Sequence, residues 1–145
     1  LYRIGESYFK TNQAPLAIAF LSESVKRLPY QLDFQLKLVH AYIQAKDWAS
    51  AEKTAQFIVG ENPQYAGAYA ALGLINMQKG LGTEANTAYA KALALDPNDV
   101  QTLINRAVLF YNIGDLGEVK IMLKRALKIA PNDPQVQAMW ADLNK

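Results

Sequence analysis

The chain has 145 residues, 51% of them hydrophobic and 19% charged, with a net charge of +2, no cysteine and one histidine. That is one domain's length with enough apolar material to fold, and it excludes disulfides, thiolate metal sites, cysteine nucleophiles and any two-histidine metal site. The charge is too small to imply nucleic acid or acidic lipid, and no run approaches the roughly eighteen unbroken apolar residues that a membrane span needs.

Pro29, Pro63, Pro97 and Pro131 recur at a constant interval of 34 residues. A period of this size indicates an all-α solenoid, in which one helix-turn-helix unit is repeated four times and apolar residues form a continuous seam between neighbours. The first unit, about residues 1–31, opens inside a helix with Leu1, Ile4 and Tyr8 on the face of the small Gly5. Its opening on Leu1 rather than Met reads as a cut or processed end of a longer chain. The partner helix starts near Pro15 and buries Ala17, Leu21 and either Ser24 or Val25.

The second unit, residues 32–65, carries Phe34, Leu38, Ala41 and Tyr42, a turn at Lys46-Asp47, then Trp48, Ala51, Ala55 and Ile58 facing inward. It is the least regular, because Gln35 and Val39 stand where other units hold an apolar and a small residue. The third, residues 66–99, packs Tyr69, Leu72 and Gly73 against Ala85, Tyr89 and Ala92; Gly73 and Ala85 are small so that two antiparallel helices approach closely. The fourth, residues 100–133, pairs Leu103, Ala107 and Phe110 with Val119, Leu123 and Ala126. Residues 134–145 are expected to form a capping helix, with Val136, Met139, Trp140 and Leu143 inward and Gln135, Gln137, Asp142 and Asn144 outward.

These residues resemble the tetratricopeptide repeat, whose 34-residue signature is a large apolar residue, Leu-Gly, Tyr, Ala, an aromatic, Ala and Pro. The third unit matches it as Tyr69, Leu72-Gly73, Ala85, Tyr89, Ala92 and Pro97, departing only at Asn76. The fourth departs at Arg106 and Val119, and the second matches least well. The resemblance covers nearly the whole chain. It implies a right-handed superhelix whose first helices line a concave groove that binds peptides or partner proteins, and it implies no catalysis and no cofactor.

With the packing residues committed to the seam, helical spacing and the family's geometry assign Tyr2, Phe9, Leu36, His40, Ile43, Leu74, Met77, Ile104, Asn105, Val108 and Tyr111 to the groove. Most of them are apolar, so the expected partner is an amphipathic or apolar protein segment. The alternative is self-association, or docking within a larger protein, through the same strip or the open first unit. The family's carboxylate clamp fails, since only Asn105 and Arg106 resemble it, and its asparagine ladder fails at Lys37 and Ala71. Arg106, the one charge on a seam position, is expected to pack its stem and to bond a carboxylate or backbone carbonyl. Gly80-Leu81-Gly82-Thr83 is a turn rather than a phosphate loop, and Lys120, Lys124 and Lys128 form a solvated stripe.

Overall fold

Nine helices, two in each of four periods and one at the end, make up the protein. The computed structural model describes residues 1–145. The first helices are α1 (Tyr2–Lys10), α3 (Leu32–Gln44), α5 (Ala66–Gln78) and α7 (Val100–Asn112). The second helices are α2 (Ala14–Arg27), α4 (Trp48–Glu61), α6 (Gly82–Leu95) and α8 (Leu116–Ile129), and α9 (Pro134–Leu143) ends the chain. There are no strands, and the fold is an all-α helical-repeat solenoid.

Each tight turn depends on one residue of left-handed backbone at the same phase of the repeat: Asn12 (φ 59°), Lys46 (59°), Gly80 (77°) and Gly114 (80°). Glycine adopts this conformation freely; Asn12 and Lys46 adopt it against a Cβ clash. The stretch at Gly80 is accordingly a turn. Four aspartates cap helices by accepting backbone N–H bonds at their starts: Asp47 from Ser50, Asp99 from Thr102, Asp115 from Glu118, and Asp133 from Gln135 and Val136. Each such cap contributes about 1 kcal/mol.

Within the third pair the helices touch through Gly73. A Cβ there would come within 2.4 Å of Tyr89 Cδ1, so the Tyr89 ring lies directly on the α5 backbone. Tyr89 is fully buried, and its hydroxyl has no hydrogen-bond partner. Burial pushes its phenol well above the ordinary range.

Between pairs a second device repeats. The carbonyl of each loop proline accepts a hydrogen bond from a side chain of the following helices. Gln35 Nε2 donates to Pro29 O (2.8 Å), the Tyr69 hydroxyl to Pro63 O (3.0 Å) and Gln137 Nε2 to Pro131 O (2.8 Å). In the fourth pair the corresponding residue is Leu103, which is fully buried and has no donor; Arg125 of α8 reaches Pro97 O instead, at 3.5 Å. Gln35, irregular as a seam residue, is therefore regular as a loop latch. Gln137, expected to face outward, serves the same purpose.

The core is a seam of buried clusters running from Ala17, Leu21, Leu38 and Ala41 at one end to a larger group around Leu103, Ile104, Phe110, Leu123 and Val136 at the other. Of the two alternatives on α2, Ser24 is buried and Val25 half-buried. Leu1 and Ile4, expected to pack, are 42% and 46% exposed. The equivalent Gln35 and Leu38 are buried where α2 packs against α3. Successive first helices touch one another (α1 with α3, α3 with α5, α5 with α7), whereas second helices meet first helices. The stack consequently bends towards its first helices, and these line the inner side.

Arg106 behaves as a packed cation, with a partner other than those expected. Its Nε donates to Asn86 Oδ1 at 2.9 Å, and its guanidinium lies 5.3 Å from the centre of the Phe110 ring. Burial lowers its pKa, offset by Glu118 and reinforced by Arg125.

Candidate functional site

Ten of the eleven expected groove residues keep some surface. Ile104 is the correction. It is 2% exposed and belongs to the buried cluster with Leu103, Leu123 and Val136. A carboxylate there would be buried without a partner, so Ile104 offers no groove surface.

At the α1–α3 end the groove side chains close on one another. Tyr2 stacks on Phe34 with ring centroids 4.0 Å apart and planes 13° from parallel. Phe9 lies 6.4 Å from His40, and Lys37 sits 5.4 Å over the Phe9 ring while pairing with Glu6 at 3.6 Å. Gln44 Nε2 donates to the Phe9 carbonyl at 3.2 Å, and the Tyr65 hydroxyl donates to Asp33. Burial, with Glu6 and Asp33 adding to it, raises the Tyr2 phenol pKa. His40 is held below its ordinary 6.5, first by burial and then by Lys37, so its neutral form is favoured. Leu36 and Ile43 pack against the buried cluster of Val39, Ala51 and Ile75, and Leu36 leans over Gly67 where α3 meets α5.

Along the middle, Leu74 is half-buried and Met77 packs on Ala85, Tyr89 and Leu109. Asn105 is half-buried and accepts a hydrogen bond from Gln101 Nε2 at 3.0 Å.

The α7–α9 end is open. Here α7 and α9 make no contact comparable to those joining the earlier first helices. A cavity of about 480 Å³ lies between α7, α8 and α9, and seven of its eight lining residues are hydrophobic. Val108 and Tyr111 come from α7, Leu116, Val119 and Leu123 from α8, and Met139, Asp142 and Leu143 from α9. Tyr111 is 63% exposed and Leu116 47%, and Ile113 in the adjoining turn is 69% exposed, so the cavity mouth is an open apolar surface.

The cause is visible one period earlier, where Gly82 replaces Leu116 and Tyr89 replaces Leu123. Leu109 settles over Gly82 and the Tyr89 ring fills the interior. At the last junction the larger Leu116 and Leu143 both line the cavity, and Leu123 supplies no ring. Of the expected groove residues, Val108 and Tyr111 line this cavity; Met139, Asp142 and Leu143 do so without having been assigned to the groove. Adding the period to Asn105, Val108 and Leu109 yields those three positions, so the signal was present once the frame was carried into α9. Asp142, expected on the solvent side, is the cavity's one polar residue and pairs with Lys145 at 2.7 Å.

Two models of the tetratricopeptide repeat match the chain, over residues 36–100 and 76–143. The chain belongs to the tetratricopeptide repeat family. A thermophilic tetratricopeptide protein of Thermus thermophilus is similar in structure, with a TM-score of 0.90 at 22% identity over 99% of this chain and 79% of that one. A structure of MamA gives 0.76 at 18% identity, over 97% and 77%. A chain of the APC/C hetero-tetramer Cut9–Hcn1 gives 0.85 at 18%, over 99% of this chain and 29% of that one. Identities this low carry the fold alone. No curated protein matches in sequence. Tetratricopeptide repeats are generally non-enzymatic scaffolds that bind protein partners. No helix of this chain is long and apolar enough to cross a membrane.

Proposed function

We propose that the chain is a non-enzymatic interaction module that holds an amphipathic or apolar segment of a partner protein in its groove, anchored at the α7–α9 end. The supporting observation is the cavity of about 480 Å³ with its nearly all-apolar lining and exposed mouth. Its size falls in the range of ligand pockets, and a bulky side chain buried in such a pocket is the usual energetic centre of an interface. A helix with apolar residues on one face would set one of them in the cavity and lay the rest along Leu74 and Met77.

Leu74→Glu combined with Tyr111→Glu tests this. Both residues retain surface, so the far-ultraviolet circular dichroism spectrum should stay helical while partners captured by the unmodified chain are lost. Equal capture by a folded double variant would sink the groove reading.

The second reading is self-association, or docking within a larger protein, through the first pair. It is favoured by the exposure of Leu1 and Ile4, whose equivalents in the second pair, Gln35 and Leu38, are buried. Light scattering across a concentration series separates the two, since a mass independent of concentration removes self-association.

A further inference from the structure

The α5–α6 pair carries a second opening, on the side turned away from the groove. On α5, Tyr69, Leu72 and Asn76 lie roughly 130° around the helix from Ala70, Leu74 and Met77, at about 100° per residue. With Thr83, Thr87 and Ala88 they line a crevice of about 490 Å³.

The repeat itself explains the opening. In the first pair the positions equivalent to Asn76 and Ala88 are Tyr8 and Phe20, whose rings stack with centroids 5.6 Å apart and planes 18° from parallel. In the fourth pair they are Phe110 and Met122, 8% and 3% exposed. The second pair holds Tyr42 and Thr54, keeping one ring. Only the third pair has lost both bulky side chains, and a crevice lies where the others hold their own.

What surrounds it is suited to a ring with a polar end. Lys91 also lines the crevice, and its ammonium lies 5.8 Å from the centre of the Tyr69 ring, over an aromatic face. The Tyr69 hydroxyl is committed to Pro63 O. The half-buried Asn76 amide carries both donors and an acceptor, which a phenol hydroxyl matches and an aliphatic side chain does not.

We propose that this crevice receives a tyrosine side chain from a partner protein, the ring taking the place of the one supplied internally in the other pairs and its hydroxyl meeting Asn76. The site is separate from the groove, and either can fail without the other.

The probe is N-acetyl-tyrosinamide, titrated to millimolar concentration into the full chain and followed by amide NMR. The expected result is saturable shifts concentrated at Asn76, Thr87, Ala88 and Lys91, with N-acetyl-leucinamide producing much weaker ones. Asn76→Tyr with Ala88→Phe rebuilds the Tyr8–Phe20 arrangement and should abolish those shifts; Ala88→Phe alone, a smaller change, should do the same if the double variant does not fold. The proposal is overturned by the absence of saturable shifts, by shifts centred on Val108, Tyr111 and Leu143, by equal response to the leucine probe, or by unchanged binding to a folded filled variant.

Discussion

The two ends of the groove are built from equivalent positions and have opposite outcomes. At the α1–α3 end, Tyr2, Phe9, Phe34 and His40 find one another, and Lys37 covers Phe9 while holding Glu6. At the α7–α9 end, Val108, Met139 and Leu143 surround a space that none of them fills. Flat rings gain from stacking beyond the area they bury, so neighbouring rings draw together. Branched and flexible aliphatic side chains have no such pairing, and here the larger Leu116 also stands where the preceding period has Gly82. A strip that is mostly apolar in sequence is therefore closed on itself at one end and open at the other.

The sharpest way to break this contrast is at Tyr89, the ring that fills the junction before the open one. Tyr89→Ala should turn that junction into a second cavity, costing about 3–5 kcal/mol in urea unfolding. A loss below about 1 kcal/mol would mean that Tyr89 does not account for the difference between the junctions. Tyr89→Phe keeps the ring and removes a buried hydroxyl without a partner, so stability should hold or rise by about 1 kcal/mol. A clear destabilisation by Tyr89→Phe would show that the hydroxyl is satisfied.

A double-mutant cycle on Tyr2 and Phe34 addresses the closed end. Their coupling should be about 0.5–1.5 kcal/mol in favour of the pair. Additive losses would mean that the stack contributes nothing beyond burial.

The smallest effect concerns pH. The folded state holds His40 below its ordinary 6.5, so the unfolded chain takes up the proton first as pH falls. The stability owed to neutral His40 is thus fully present above about pH 6.5 and is lost as pH drops through the lower folded-state value. His40→Gln should flatten the decline in unfolding free energy between about pH 7 and pH 5, relative to the unmodified chain. Identical slopes would show that His40 titrates the same way folded and unfolded.

Much of this molecule was legible before any coordinate. The proline interval anticipated the helix pairs, and the need for a small residue at Gly73 was readable because close helix approach requires a missing side chain; that the Tyr89 ring lies on it is shown only by the packed pair. Arg106 was readable as a packed cation, but its partner was not: Asn86 lies on the neighbouring α6, and only the packed pair brings its amide within reach. Gln35 stands out in sequence as a polar residue at a seam position, but its partner, the Pro29 carbonyl, comes within hydrogen-bond distance only in the folded loop. The spacing of Ile104 on α7 matches the inner face, and only the packed helices show it inside the cluster with Leu103, Leu123 and Val136.

What the sequence by itself determined is periodic: which helices form, where they turn, and which residues of successive periods are equivalent. Such features follow from local backbone preference and a spacing repeated four times, so one copy checks another. The tertiary structure alone decided where the periodicity is not filled. The α7–α9 cavity and the α5–α6 crevice both depend on side-chain volumes contributed by two or three helices at once. A repeat frame shows which residues are equivalent; whether their volumes close the space between them is settled only when the helices are packed.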